Sequence, residues 1–159
     1  MTARHALRRT TAYGAAAVTC QVLDPALFID PDVLRVYCTD VEGHAVNSRF
    51  VLSYDRGVVP VSATADNYGL APTVAGWSSP GAAPVITEID DDGDYLVSFP
   101  GAASTGGHAF ASVVGMPPMF CTIHSWTTSG DALNLRVRCY QPGGGQGNPA
   151  VLFNVGFLS

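Results

Sequence analysis

Lysine is missing altogether. All eight basic residues are arginine, set against thirteen acidic ones, for a formal net charge of −5 over 159 residues. Only Arg8 and Arg9 are adjacent, so there is no basic stripe to follow a phosphate backbone, and nucleic acid is set aside as a partner. Charged residues of both signs make up 13% of the chain and hydrophobic ones 47%, a balance that excludes intrinsic disorder. No apolar run approaches the roughly 20 residues that cross a bilayer as a helix. Arg8-Arg9-Thr10 has the look of a twin-arginine export signal, but Ala12 to Val18 is too short and too broken by glycine to serve as its apolar core. No export segment is read in the chain. Also lacking are the short C-x2–4-C knuckles of structural zinc and the G-x-S-x-G turn that presents a nucleophilic serine. Gly143-Gly144-Gly145-Gln146-Gly147 has no lysine or helix after it, so it reads as a hairpin loop and not a phosphate cradle.

What the chain does have is glycine (17) and proline (11), spread along its length as turns between many short strands require. Leu135, Val137 and Cys139 alternate with Asn134, Arg136 and Arg138, the period of two that gives a strand one apolar and one polar face. Leu34, Val36 and Cys38 repeat the pattern against Arg35 and Tyr37. Residues 50–54, 58–63, 95–99, 109–113 and 151–157 also read as strands, separated by turn chemistry at 55–57, 78–81, 91–94 and 143–145. The expectation is an all-β chain of about twelve short strands without a convincing helix.

An internal repeat is the strongest signal. Cys20 to Cys38 and Cys121 to Cys139 both read C-x9-D-x3-L-R-V-x-C, with Asp30, Leu34, Arg35 and Val36 matched by Asp131, Leu135, Arg136 and Val137. The offset is 121 − 20 = 101 residues. Upstream, His5-Ala6-Leu7 resembles His108-Ala109-Phe110; downstream, residues 47–52 line up with 148–153. Three segments follow: a cysteine-containing half-repeat at 1–56, a cysteine-free one at 57–105, and a second cysteine-containing one at 106–159. The expected architecture is antiparallel β-sandwich-like units in a meander, with three four-stranded propeller-type blades as the alternative. An incomplete unit leaves open sheet edges, which invite pairing with another chain.

Four cysteines in two equal spacings suggest the bridges Cys20–Cys38 and Cys121–Cys139, each joining neighbouring strands of one ribbon. Such a bridge contributes about 3 kcal/mol in the chain-entropy model and implies an oxidising environment. Buried free thiols and a four-cysteine zinc site are the competing readings.

At these residues the chain resembles a tandem β-repeat family of secreted, mostly uncharacterised actinobacterial proteins. The resemblance rests on Cys121-Thr122-Ile123-His124-Ser125-Trp126, Val137-Arg138-Cys139-Tyr140 and Tyr95-Leu96-Val97-Ser98-Phe99-Pro100-Gly101, and it covers most of residues 5–158. The first copy departs from it, with Leu23-Asp24-Pro25 where the tryptophan belongs. The resemblance implies an extracellular β module, and it carries no catalytic residues over.

Each candidate for chemistry has a plainer reading beside it. Glu88-Ile89-Asp90-Asp91-Asp92-Gly93 partly matches the opening of a calcium loop, but Phe99 stands where the bidentate acid belongs, and Asp-Gly between two strands is good hairpin chemistry. His124, Ser125 and Asp131 suggest a triad, yet Leu23, Asp24 and Asp30 occupy those places in the first copy. Arg35 and Arg136 recur at one position, either to contact an anion or, as the reading favoured here, on a strand's outward face stabilised by a cross-strand acid. Trp77, Trp126, Tyr68 and Tyr140 are ligand-contact candidates for a sugar, against core packing. No catalytic residue, metal or cofactor is expected. The function expected is a non-catalytic extracellular or surface-exposed structural or interaction module that self-associates or joins a larger assembly. The alternatives are a virion decoration or tail-associated protein, and a carbohydrate-binding or protease-inhibitor module.

Overall fold

Period-two patterning becomes strand along residues 132–140 and, from Val36 on, along 36–40. The structure is a computed structural model, and it describes residues 6–14, 16–23, 34–56, 61–66, 73–78, 82–90, 93–113, 119–145 and 153–158. These residues form twelve strands: β1 Ala6–Tyr13, β2 Val18–Val22, β3 Val36–Asp40, β4 Arg49–Arg56, β5 Val61–Asp66, β6 Thr73–Ser78, β7 Val85–Asp90, β8 Asp94–Phe99, β9 His108–Val113, β10 Phe120–Ser129, β11 Ala132–Tyr140 and β12 Phe153–Leu158. One 3-10 turn, Pro142–Gly144, stands where a glycine hairpin loop was expected, with Gly143 at φ 82°. Strand β3 starts at Val36, two residues later than the alternation from Leu34 suggests, and β5 runs on to Asp66 past the expected end at Ala63.

Every pairing among the described residues is antiparallel. Two four-stranded sheets, β10-β11-β8-β7 and β6-β5-β12-β9, carry residues 61–158; two two-stranded ribbons, β1-β4 and β2-β3, carry the first 56. Pairing of β11 with β8 joins the β7–β8 and β10–β11 hairpins into one sheet; in the other, β12 pairs with β9 on one side and with β5 of the β5–β6 hairpin on the other. The propeller alternative therefore fails. Strands from 57–105 and from 106–159 share both large sheets, whereas a blade would keep its four strands to itself.

The core lies between the two large sheets. One contributes Ile86, Tyr95, Val97, Phe99, Leu133, Leu135, Val137 and the Cys121–Cys139 bridge; the other contributes Val113, Phe153, Val155 and Phe157. Strand β11 shows the cause most directly, because Leu133, Leu135, Val137 and Cys139 are all fully buried while the residues between them are half-exposed. Each such side chain is worth about 1.5–3 kcal/mol on burial, as an upper bound. Tight turns hold the register. Ser129 opposes Ala132 across a two-residue loop whose first member, Gly130, has φ +60°, a place that suits glycine. Asp90 and Asp94 close the β7–β8 hairpin, with Gly93 at φ 80°.

The first ribbon pair reproduces the second in register. Ala6 opposes Arg56 as Ala109 opposes Phe157, and Thr10 opposes Leu52 as Val113 opposes Phe153. One strand shifts by 109 − 6 = 103 residues and its partner by 157 − 56 = 101. Cys20 faces Cys38 as Cys121 faces Cys139, and both pairs are bridged by disulfides. The cysteine Cα atoms are 4.1 and 4.0 Å apart, the separation of directly opposed residues that do not bond each other across the ladder. Thr10 donates its hydroxyl to the Cys20 carbonyl at 2.8 Å, tying one ribbon to the other.

The copies differ in what covers them. Strand β12 lies between β9 and β5, but among the described residues β4 is hydrogen-bonded to β1 alone. Leu52 is 37% exposed where its counterpart Phe153 is 0%, and Phe50 and Val51 beside it are 41% and 60% exposed. Strand β3 has its outer edge partly closed by its own chain. Thr39 bridges Ala45, and the Val46 amide donates to the Cys38 carbonyl at 3.0 Å.

Candidate functional site

Among the described residues the densest polar constellation lies on the outer face of the β10-β11-β8-β7 sheet. Strand alternation puts Leu135, Val137 and Cys139 inward and so aims Arg136 and Arg138 outward. The Cys139 amide donates to the Gly93 carbonyl at 3.0 Å, which sets the first residue of β8, Asp94, opposite Arg138. Arg136 Nε donates to both Asp94 oxygens, at 2.9 and 3.0 Å, and its Nη2 also donates to Oδ2. Arg138 Nε donates to Oδ2 at 2.9 Å, and its Nη1 lies 3.3 Å from His124 Nδ1. The two guanidinium groups roof Asp94 over, leaving its side chain 0% exposed, while they stay 34% and 27% exposed themselves.

Burial pushes the Asp94 carboxyl upward, but the hydrogen bonds and charges of Arg136 and Arg138 outweigh it and hold the group below its ordinary value. Asp94 in turn raises both arginines. A carboxylate that stays ionised and spends its lone pairs on two forks is built to clamp β8 onto β11.

The candidates from the sequence fall in separate places. Arg136 meets a cross-strand acid, Asp94. Arg35 is exposed just ahead of β3, and its carbonyl accepts the Leu23 amide at 2.8 Å. Trp126 leans edge-on against Phe157, ring centres 5.1 Å apart, and packs partly into the core. Tyr140 stacks on Phe120 across the ribbon at 5.2 Å. Residues 120 and 126 are six positions apart on one strand, about 20 Å at a strand's rise, so Trp126 and Tyr140 do not make one platform. Trp77 stands opposite Ser62 at the edge of the other large sheet, and its side chain lies outside the described residues, as do Asp30, Tyr68, Asp91 and Asp92.

No family model, curated protein or solved structure matches this chain.

His124, Ser125 and Asp131 are not assembled as a triad: a β-bulge between Ile123 and Ser125 leaves His124 beside Arg138, while Asp131 sits in the β10–β11 turn with its carbonyl accepting the Ala103 amide at 2.8 Å. The sequence reading missed Asp94 as an anchor, although the repeated outward arginines were the signal that an acid would come from a neighbouring strand. It also missed Asp40, Glu42 and His44, whose spacing D-x-E-x-H brings one ligand atom from each within 4.8 Å. There Asp40 Oδ1 accepts the Glu42 amide at 3.0 Å and the His44 amide at 2.9 Å. The His44 amide is the main cause of that carboxyl's lowered pKa; the burial that opposes it and the Glu42 amide count for less. This is the chemistry of a tight turn. Beside it lies a cleft of about 610 Å³ where β2 and β3 meet residues 119–120 and 142–143, with the Gly143 amide donating to the Val41 carbonyl at 2.8 Å. No helix among the described residues is long and apolar enough to cross a membrane.

Proposed function

We propose that this chain is a non-catalytic, disulfide-stapled interaction module that works outside the cell or on a surface and associates with itself or within a larger assembly. The observation that carries the reading is strand β4. It presents Phe50, Val51 and Leu52 to solvent and has one edge unpaired among the described residues. Apolar strand edges left open are templates for pairing. Two further features support the reading. Both cysteine pairs are bridged, as suits an oxidising compartment. The buried carboxylate Asp94 is used to hold two strands together.

Membership of the tandem β-repeat family belongs to the same proposal, supported by the repeated cysteine spacing and the equal ladder registers. The first test is the absolute mass of the purified chain by light scattering over a range of concentrations, with and without reductant. The reading expects a discrete species heavier than 16.6 kDa. A mass of 16.6 kDa at every concentration would sink it.

A further inference from the structure

We infer that β4 pairs antiparallel with β4 of a second copy of this chain, about a two-fold axis through Leu52. The inference rests on the self-association just proposed and names its surface. Three of the six large apolar side chains exposed among the described residues, Phe50, Val51 and Leu52, are consecutive on this one strand.

Register selects the partner. A two-fold axis between antiparallel strands must pass through a residue and its own copy, because only residues with like-directed backbone groups oppose each other. An axis at Leu52 sets Arg49 opposite Asp55 of the second copy, Phe50 opposite Tyr54, and Leu52 opposite itself. This register puts residues of opposite charge at both ends, Phe50 across from Tyr54, Leu52 across from its own copy and Val51 across from Ser53; opposite-charge and aromatic cross-strand pairs stabilise a ladder. Moving the axis to Val51 pairs Phe50 with Leu52 but sets Arg49 against Ser53, and moving it to Ser53 sets Phe50 against Arg56, so both neighbouring registers lose the charge match. The product is a four-stranded sheet ordered β1-β4-β4-β1, the strand number of each large sheet in residues 61–158. A second copy cannot complete β4 with its own β5, since that strand is already paired to β12. Strand β3 does not offer an equivalent edge, because residues 45 and 46 fold back onto it.

The test is a charge swap read by sedimentation equilibrium on the full chain. Arg49→Asp sets acid against acid at both ends of the ladder and should raise the dimer dissociation constant by about tenfold or more. Arg49→Asp combined with Asp55→Arg should restore it to within about threefold of the unsubstituted chain. Val85→Lys, on the exposed apolar edge strand β7, should leave the constant unchanged while circular dichroism confirms the fold. If the chain dimerises but the swap fails to rescue, the dimer uses another surface; this inference then falls while the self-association reading stands. A monomer at every concentration overturns both.

Discussion

Replacing Asp94 with asparagine tests whether the polar cluster on the outer sheet face is a structural clamp. Asparagine keeps the volume but removes the charge that receives four hydrogen bonds from Arg136 and Arg138. Hydrogen bonds to a charged group contribute about 1.5–3 kcal/mol each when fully desolvated. Here both arginines remain about a third exposed and can turn to water, so solvent screening brings the total cost down to about 1–2 kcal/mol. For a domain of this size that lowers the thermal midpoint by about 2–8 °C at pH 7. The pH dependence follows from the direction of the shift. A carboxyl lowered in the folded state binds fewer protons there than in the unfolded chain. Its stabilisation is complete above the unfolded value of about 4 and is lost as pH falls through the folded value. Thermal unfolding of both proteins at pH 7 and stepwise down toward pH 2 should show the gap narrowing below about pH 4. A gap that stays constant to pH 2, or none at pH 7, would refute the clamp.

Three further outcomes are expected. Replacing Cys121 and Cys139 together with alanine should cost about 3 kcal/mol by urea unfolding, and reductant should then affect the variant less than the parent. Phe153→Ala should cost about 3–5 kcal/mol, against about 1 kcal/mol or less for Leu52→Ala measured on the monomer; equal losses would mean that the two ribbon pairs are equally covered. Gly130→Ala, at φ +60°, should lower stability by about 1 kcal/mol in the same assay, because a β-carbon is strained there.

The all-β class and the cysteine partners were legible in the sequence because each rests on local information, whereas the turn read at 55–57 was not, since β4 runs through Arg56. Alternation along Leu135 to Cys139 announces a half-buried strand, and Asp-Gly at 92–93 announces a turn, whatever the rest of the chain does. Equal cysteine spacing within a repeat names which thiols can meet once the flanking strands pair. Other features depended on which strands become neighbours across long separations. Arg136 could be read as facing outward, but only the pairing of β11 with β8 supplies Asp94, 42 residues away, to receive it. Trp126 was a sugar-contact candidate set against the commoner core role, and only the tertiary structure brings Phe157, from the other sheet, against it. The repeat makes Leu52 and Phe153 equivalents, yet one is open and the other sealed, because β5 pairs with β12 and no described strand does the same for β4. Sequence alone determined the all-β class and the two faces of strands such as β11, since side-chain alternation is a property of the extended backbone. Tertiary structure decided which faces and edges are covered, since that depends on contacts no local pattern encodes.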